Sequence, residues 1–139
     1  MIDKLRSASE ARRAFSSAVD GLVSLACGLA VAVWPVGART DGDLHWGEPR
    51  LWLTLLGVTV AVSFLNHVVL TLVGSASIGK LLGGIRIVRE ADAARPGFAQ
   101  MTRRWLWGFY WMIVIVPISI ASQSDVNQED MSGLKVVRA

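Results

Sequence analysis

Three long apolar runs alternate with polar, charge-rich segments along this chain. The runs extend from about Ser16 to Val36, from Leu51 to Val73 and from Trp105 to Ala121. A bilayer's hydrocarbon core is about 30 Å thick, and an α-helix rises 1.5 Å per residue, so roughly 20 apolar residues cross it. The first two runs reach that length. The third gives only about 26 Å as a helix, and Pro117 is placed to kink or end it. The pattern therefore predicts an all-α membrane protein of one domain with about three transmembrane helices.

Polar positions inside the runs are where chemistry is expected. In the second run, Ser63, Asn66 and His67 recur at i, i+3 and i+4, which puts them on one helical face. Such a face points into protein, either this chain or a partner. His67 is the one histidine at membrane depth, and it reads either as a hydrogen-bonded packing residue or as a proton carrier. Asp20 lies about one turn inside the first run. An ionised carboxylate at a helix centre costs about 2.5 to 3.5 kcal/mol on insertion scales, and less near the interface, so Asp20 demands a partner. Arg13 is on nearly the same face but about 10 Å away along the axis, so direct pairing requires both side chains to stretch. Lys80 and Arg86 of the central loop are equally good candidates. Asp20 then serves either a buried ion pair that fixes helix packing or a proton or ion relay.

Charge in the connecting segments orients the chain. Between Gly37 and Arg50, Arg39 and Arg50 face Asp41, Asp43 and Glu48. Between Gly74 and Arg104, Lys80, Arg86, Arg89, Arg95, Arg103 and Arg104 face Glu90 and Asp92. The positive-inside rule puts the first segment outside and the second in the cytoplasm, with a cytoplasmic N-terminus. Phe98 to Arg104 reads as the start of a helix along the membrane surface. Trp105, Trp107, Tyr110 and Trp111 follow as an interfacial aromatic belt.

Composition agrees with the pattern. Hydrophobic residues make up 53% of the 139 residues and charged residues 18%, against about 25% charged in soluble domains. Mean hydropathy is +0.46. The net charge of +3 flanks spans, which suits anionic lipid headgroups and argues against nucleic acid as a partner. Cys27 stands alone, so an internal disulfide and a cysteine-based metal site are both excluded. Asp41, Asp43, His45 and Glu48 read as a solvated loop rather than a hard-metal site. Arg12-Arg13 before an apolar run with Ala30-Val31-Ala32 has the layout of a signal peptide. Asp20 and the later spans favour an uncleaved first span.

The stretch Gly74 to Arg89, GSASIGKLLGGIRIVR, holds the main motifs. Gly74, Gly79 and Lys80 fit G-x-x-x-x-G-K, but Leu81 stands where a phosphate loop needs Ser or Thr, and no strand precedes it. Nucleotide binding is excluded on both counts, and no other cofactor is implied. Ile85-Arg86-Ile87 alternates, which suits a short strand or hairpin arm in the basic cytoplasmic loop.

Ser77-Ile78-Gly79-Lys80, followed by Gly84-Ile85-Arg86-Ile87-Val88, resembles the T-P-G-K and G-L-R-V-V hallmarks of the RDD family of small integral membrane proteins. Arg13 and Asp20 match that family's Arg and first Asp. Near the end, Asp130 with Ser132 to Val137 is similar to D-x-x-A-G-T-x-V-V, one residue short, so Glu129 takes the strictly aligned acidic position and Leu134 replaces Thr. The resemblance spans roughly Arg12 to Arg138. It implies the membrane architecture and suggests transport.

Two expectations about the tail compete. Three full crossings would leave it outside, which hydropathy favours. Yet Gly133 to Arg138 echoes Gly84 to Arg89, and two such segments pair as strands only on one side. That pairing would make the third segment re-entrant near Pro117 and leave the tail cytoplasmic, the side that the family resemblance favours. For function, no Ser/His/Asp or Cys/His set stands out and an enzyme is not expected. Three spans do not enclose a pathway alone. The leading expectation is an accessory or assembly subunit of a larger membrane complex in the bacterial cytoplasmic membrane. An oligomeric ion or small-solute transporter using Asp20 and His67 is the alternative. The residues expected to matter are Arg13, Asp20, Asn66, His67, Lys80, Arg86, Glu129 and Asp130.

Overall fold

A computed structural model describes residues 7–37, 46–122 and 134–138. Three helices are long and apolar enough to cross a membrane. Helix α1 runs Glu10–Gly37, α2 runs Pro49–Gly74 and α4 runs Phe98–Ser122. Between α2 and α4 come a short helix α3, Ile78–Leu82, and a strand β1, Ile85–Arg89; strand β2, Leu134–Arg138, closes the described chain.

Helices α1 and α2 pack antiparallel. They approach closely at Gly28, where an added Cβ would collide with the Thr59 side chain and stand 3.0 Å from the Leu55 carbonyl oxygen. Small residues at such a crossing let backbones approach and gain dispersion contact, which in lipid replaces the hydrophobic drive. Pro49 starts α2, where its missing N–H costs nothing. A π-turn widens α2 at Leu65–Val69. Ser75 ends it in the left-handed region at φ 62°.

Helix α4 differs from the expectation in two ways. It begins at Phe98 rather than Trp105, because Gln100, Arg103 and Arg104 lower hydropathy without lowering helix propensity. The expected surface helix and the third run are therefore one element. It also continues through Pro117. A π-turn at Trp111–Ile115 lies directly upstream and shifts the backbone register where the proline ring would otherwise meet a carbonyl. The first half of α4 packs on the rest of the described chain. Phe64 of α2 receives Phe98 and Trp105 edge-on at 6.4 and 5.2 Å, and Trp105 Nε1 donates to Ser63 Oγ at 3.2 Å.

The strands settle the position of the tail. β1 and β2 are antiparallel, with Ile85 opposite Arg138 and Arg89 opposite Leu134. Ser7 bridges Val137, and the Ala8 N–H donates to the Val136 carbonyl at 3.2 Å. Ile85, Ile87, Leu134 and Val136 turn to a core shared with Ala8, Val68 and Met101. Burying side chains of this size contributes about 1.5 to 3 kcal/mol each. The tail thus lies beside the central loop and the start of α1, not on the far side that hydropathy favoured. Local apolar content does not register a backbone ladder formed with a strand far away in sequence.

This pairing predicts a cross-link. In a Cys27→Ser background, Arg86→Cys with Val137→Cys should oxidise readily, because directly opposed residues fall within disulfide reach. Arg86→Cys with Lys135→Cys, two residues off register, should do so far less. Gel mobility with and without reductant reads both, and equal yields would remove the register.

Candidate functional site

The site is built around a carboxylate that the fold removes from solvent. Asp20 sits on the face of α1 turned towards α2 and α3, and its side chain is 0% exposed. Both oxygens are occupied. Asn66 Nδ2 donates to Oδ1 at 2.6 Å, and the Gly79 backbone N–H donates to the same oxygen at 2.7 Å. The Ser77 hydroxyl donates to Oδ2 at 2.6 Å. Lys80 Nζ stands 3.6 Å from Oδ2 and donates to Ser77 Oγ at 2.9 Å. His67 Nδ1 lies 3.9 Å from Oδ2.

Each partner is delivered by a particular backbone device. Consecutive side chains in a regular helix diverge by about 100°. The π-turn of α2 carries Asn66 and His67, and both reach Asp20. Such turns recur at functional sites. Asn66 also accepts from the Ile78 N–H at 3.0 Å through Oδ1, so its amide bridges α1 to the start of α3. Gly79 is required by space. A Cβ there would collide with the Ser16 carbonyl and stand 2.9 Å from the Asp20 carboxyl carbon. Lys80 follows one residue later and turns inward, while Ile78, Leu81 and Leu82 on the same short helix are exposed.

Electrostatics favours a closed unit. Desolvating a carboxylate and an ammonium costs several kcal/mol each, and good geometry with extra hydrogen bonds must offset it. Burial is the largest influence on the Lys80 ammonium and lowers it from 10.5 to about 8; Asp20 opposes that, and Arg104 adds to it. Exposure rises outward from the centre, from 0% at Asp20 through 12% at the Lys80 side chain to 28% at His67. Ser77 and Lys80 have the S-x-x-K spacing of serine–lysine nucleophile pairs. Here the Ser77 hydroxyl is committed to Asp20 and fully buried, which makes it a link in the network.

Of the residues singled out in the sequence, Asp20, Asn66, His67 and Lys80 come together. Arg86 does not; it is exposed on β1, on the face away from the shared core. Arg13 is exposed at the start of α1, and Asp20, one of its candidate partners, faces Lys80 instead. Glu129 and Asp130 lie outside the described residues, as do Asp41, Asp43 and His45. Among the described residues, no group of three or more His, Cys, Asp or Glu side chains could hold a metal ion. Sequence reasoning missed Ser77, the Gly79 N–H and Ser16. Ser77 did leave a signal, since it occupies the hydroxyl position of the T-P-G-K hallmark.

Two outcomes test this arrangement. Asp20→Asn and Lys80→Met should each destabilise the chain by about 3 to 5 kcal/mol, because each leaves the other charge buried alone. The double variant should lose much less than the sum; additive losses in thermal unfolding in detergent would mean the two do not interact. Lys80 should titrate near pH 8 by NMR of the methylated amine, and Asp20→Asn should lower that value further. Since the folded value lies below the unfolded one, the native state gives up this proton first. Lys80 therefore makes stability rise with pH between about 8 and 10.5.

Comparison with known proteins agrees with this architecture. No curated protein and no solved structure matched the chain. The model of the RDD family matches residues 7–128. With three helices of spanning length and a family match over most of its residues, this chain is an integral membrane protein that belongs to the RDD family.

Proposed function

We propose that this protein is a non-catalytic accessory or assembly subunit of a larger membrane complex, held in the bacterial cytoplasmic membrane with its N-terminus and basic loop in the cytoplasm. The observation that carries the reading is the contrast between α4 and the Asp20 site. None of the apolar window of α4 is buried by the described chain, whereas part of α1 and of α2 is. Asp20, by contrast, has its oxygens filled from within the chain. A polar lock stiffens α1, α2 and α3, and a helix of spanning length whose apolar window the described chain leaves unburied offers that rigid body a surface for other membrane helices. Basic residues beside the spans favour anionic headgroups as further partners, and nothing in their placement calls for nucleic acid.

A second reading has its own support. His67, Lys80 and Asp20 form a graded series from partly exposed to buried, which is the layout of a proton or ion relay. One chain would reach a transport pathway only as an oligomer.

Purifying the tagged full chain in mild detergent and reading the stoichiometry of what accompanies it separates the two. A constant larger partner is the expected result. A homo-oligomer that moves ions in liposomes would overturn the subunit reading. In that case Asp20→Asn and His67→Ala should each reduce flux, and unchanged flux in both would remove the relay.

A further inference from the structure

The chain between α2 and β1 turns back into the bundle before it leaves. Ser75, in its left-handed conformation, makes the turn, and Ala76 and Ser77 are buried on the way in. The Ile78 N–H then donates to Asn66 Oδ1 at 3.0 Å. Asn66 lies about two helical turns before Gly74, the end of α2, so α3 starts well inside that end. From there α3 runs along α1. An added Cβ at Gly79 would stand 2.9 Å from the Asp20 carboxyl carbon. One at Gly83 would stand 3.5 Å from Ser16 Cβ and 3.6 Å from the Arg12 carbonyl oxygen. Helix α3 thus lies beside the part of α1 where the first apolar run begins.

The side of α3 turned away from the bundle is apolar. Leu81 is 64% and Leu82 68% exposed, and Ile78 shares their face at i, i+3 and i+4. Lys80, the one charged residue of α3, points to Asp20 instead, and no exposed residue from Val73 to Ile85 is charged. The backbone is closed as well. The N–H groups of Ser75, Ile78, Gly79, Leu81, Gly83 and Gly84 all donate within the chain. The Gly83 carbonyl accepts from Arg12, and the Ser75 carbonyl from the Ile87 N–H. Water would satisfy such groups in an aqueous loop, whereas hydrocarbon requires that the protein does so. We propose that α3 is a re-entrant element that dips into the leaflet next to the β1–β2 sheet and buries Ile78, Leu81 and Leu82 among lipid acyl chains. Non-helical backbone at membrane depth is tolerated where protein buries it, and Asp20 and Asn66 do this for the turn before α3. The lipid face of α3 continues that of α1, where Phe15, between Arg12 and Ser16, is also exposed. Acyl chains rather than cytosol then cover the outer side of the segment that carries Lys80.

The test places one cysteine at a time in a Cys27→Ser background and reads the full chain in lipid nanodiscs. Spin labels on Leu81→Cys and Leu82→Cys should collide more often with dissolved oxygen than with a water-soluble nickel chelate. A label on Arg95→Cys, exposed in the basic loop, should show the reverse. Unlabelled Leu82→Cys should react with a charged maleimide at least about tenfold more slowly than Arg95→Cys, because apolar surroundings disfavour the thiolate that reacts. Both leucine positions are exposed, and if one variant fails to fold the other decides the matter. Frequent collision with the nickel chelate at the leucine positions, with maleimide rates like that of Arg95→Cys, overturns the proposal, as α3 would then lie in water. Rare collision with both oxygen and the chelate overturns it too, because protein, whether a second copy or another subunit, would then cover this face.

Discussion

The constraint on which the rest of this structure depends is the placement of one ionisable carboxylate inside a helix bundle. Asp20 would be expensive in hydrocarbon without donors. The chain supplies them from α2, from the turn before α3 and from α3 itself. These donors are what dock the short α3 helix against α1. With α3 docked, Gly83 and Gly84 are brought under Arg12, and β1 leaves in the direction that lets it pair with β2. A polar cluster thus organises both the membrane-embedded and the interfacial parts of the molecule.

Glycine has two different uses in this arrangement. Gly28 lets α1 and α2 touch, and Gly79 lets α3 approach Asp20 closely enough to donate its backbone N–H. Gly84 instead supplies a left-handed conformation, as Ser75 does at the other end of the same segment. The segment between those two residues is short, with a left-handed residue at each end. Its inner side carries Ser77, Gly79 and Lys80, and its outer side carries exposed Leu81 and Leu82. A polar inner side and an apolar outer side suit a segment lying where bundle, headgroup and hydrocarbon meet.

The helices are not equally committed to this unit. Helices α1 and α2 are joined along their length and through the Asp20 network. Helix α4 is held by its first turns, through Met101, Trp105 and the aromatic contacts of Phe64. Beyond that most of its residues are exposed or half-buried. Among the described residues the chain is thus a two-helix body joined through Asp20 and a third helix held to it by its first turns.

Much of the architecture was legible in the amino-acid order, because hydrocarbon thickness imposes a length on apolar runs and an energetic demand on any charge within them. The runs around Asp20, Asn66 and His67, the need of Asp20 for a partner, and the RDD hallmarks at Ser77 to Val88 all follow from one-dimensional patterns. Which cation meets Asp20 did not. Arg13, Lys80 and Arg86 were all open candidates, and only the docking of α3 brings Lys80 inward while β1 carries Arg86 out. The side of the tail was equally hidden, since strand pairing between Ile85–Arg89 and Leu134–Arg138 is a contact between distant segments. Sequence by itself determined that this chain enters a membrane and must neutralise a buried carboxylate. Tertiary structure decided which groups do so, because burial and hydrogen bonding depend on distances between segments that local pattern does not encode.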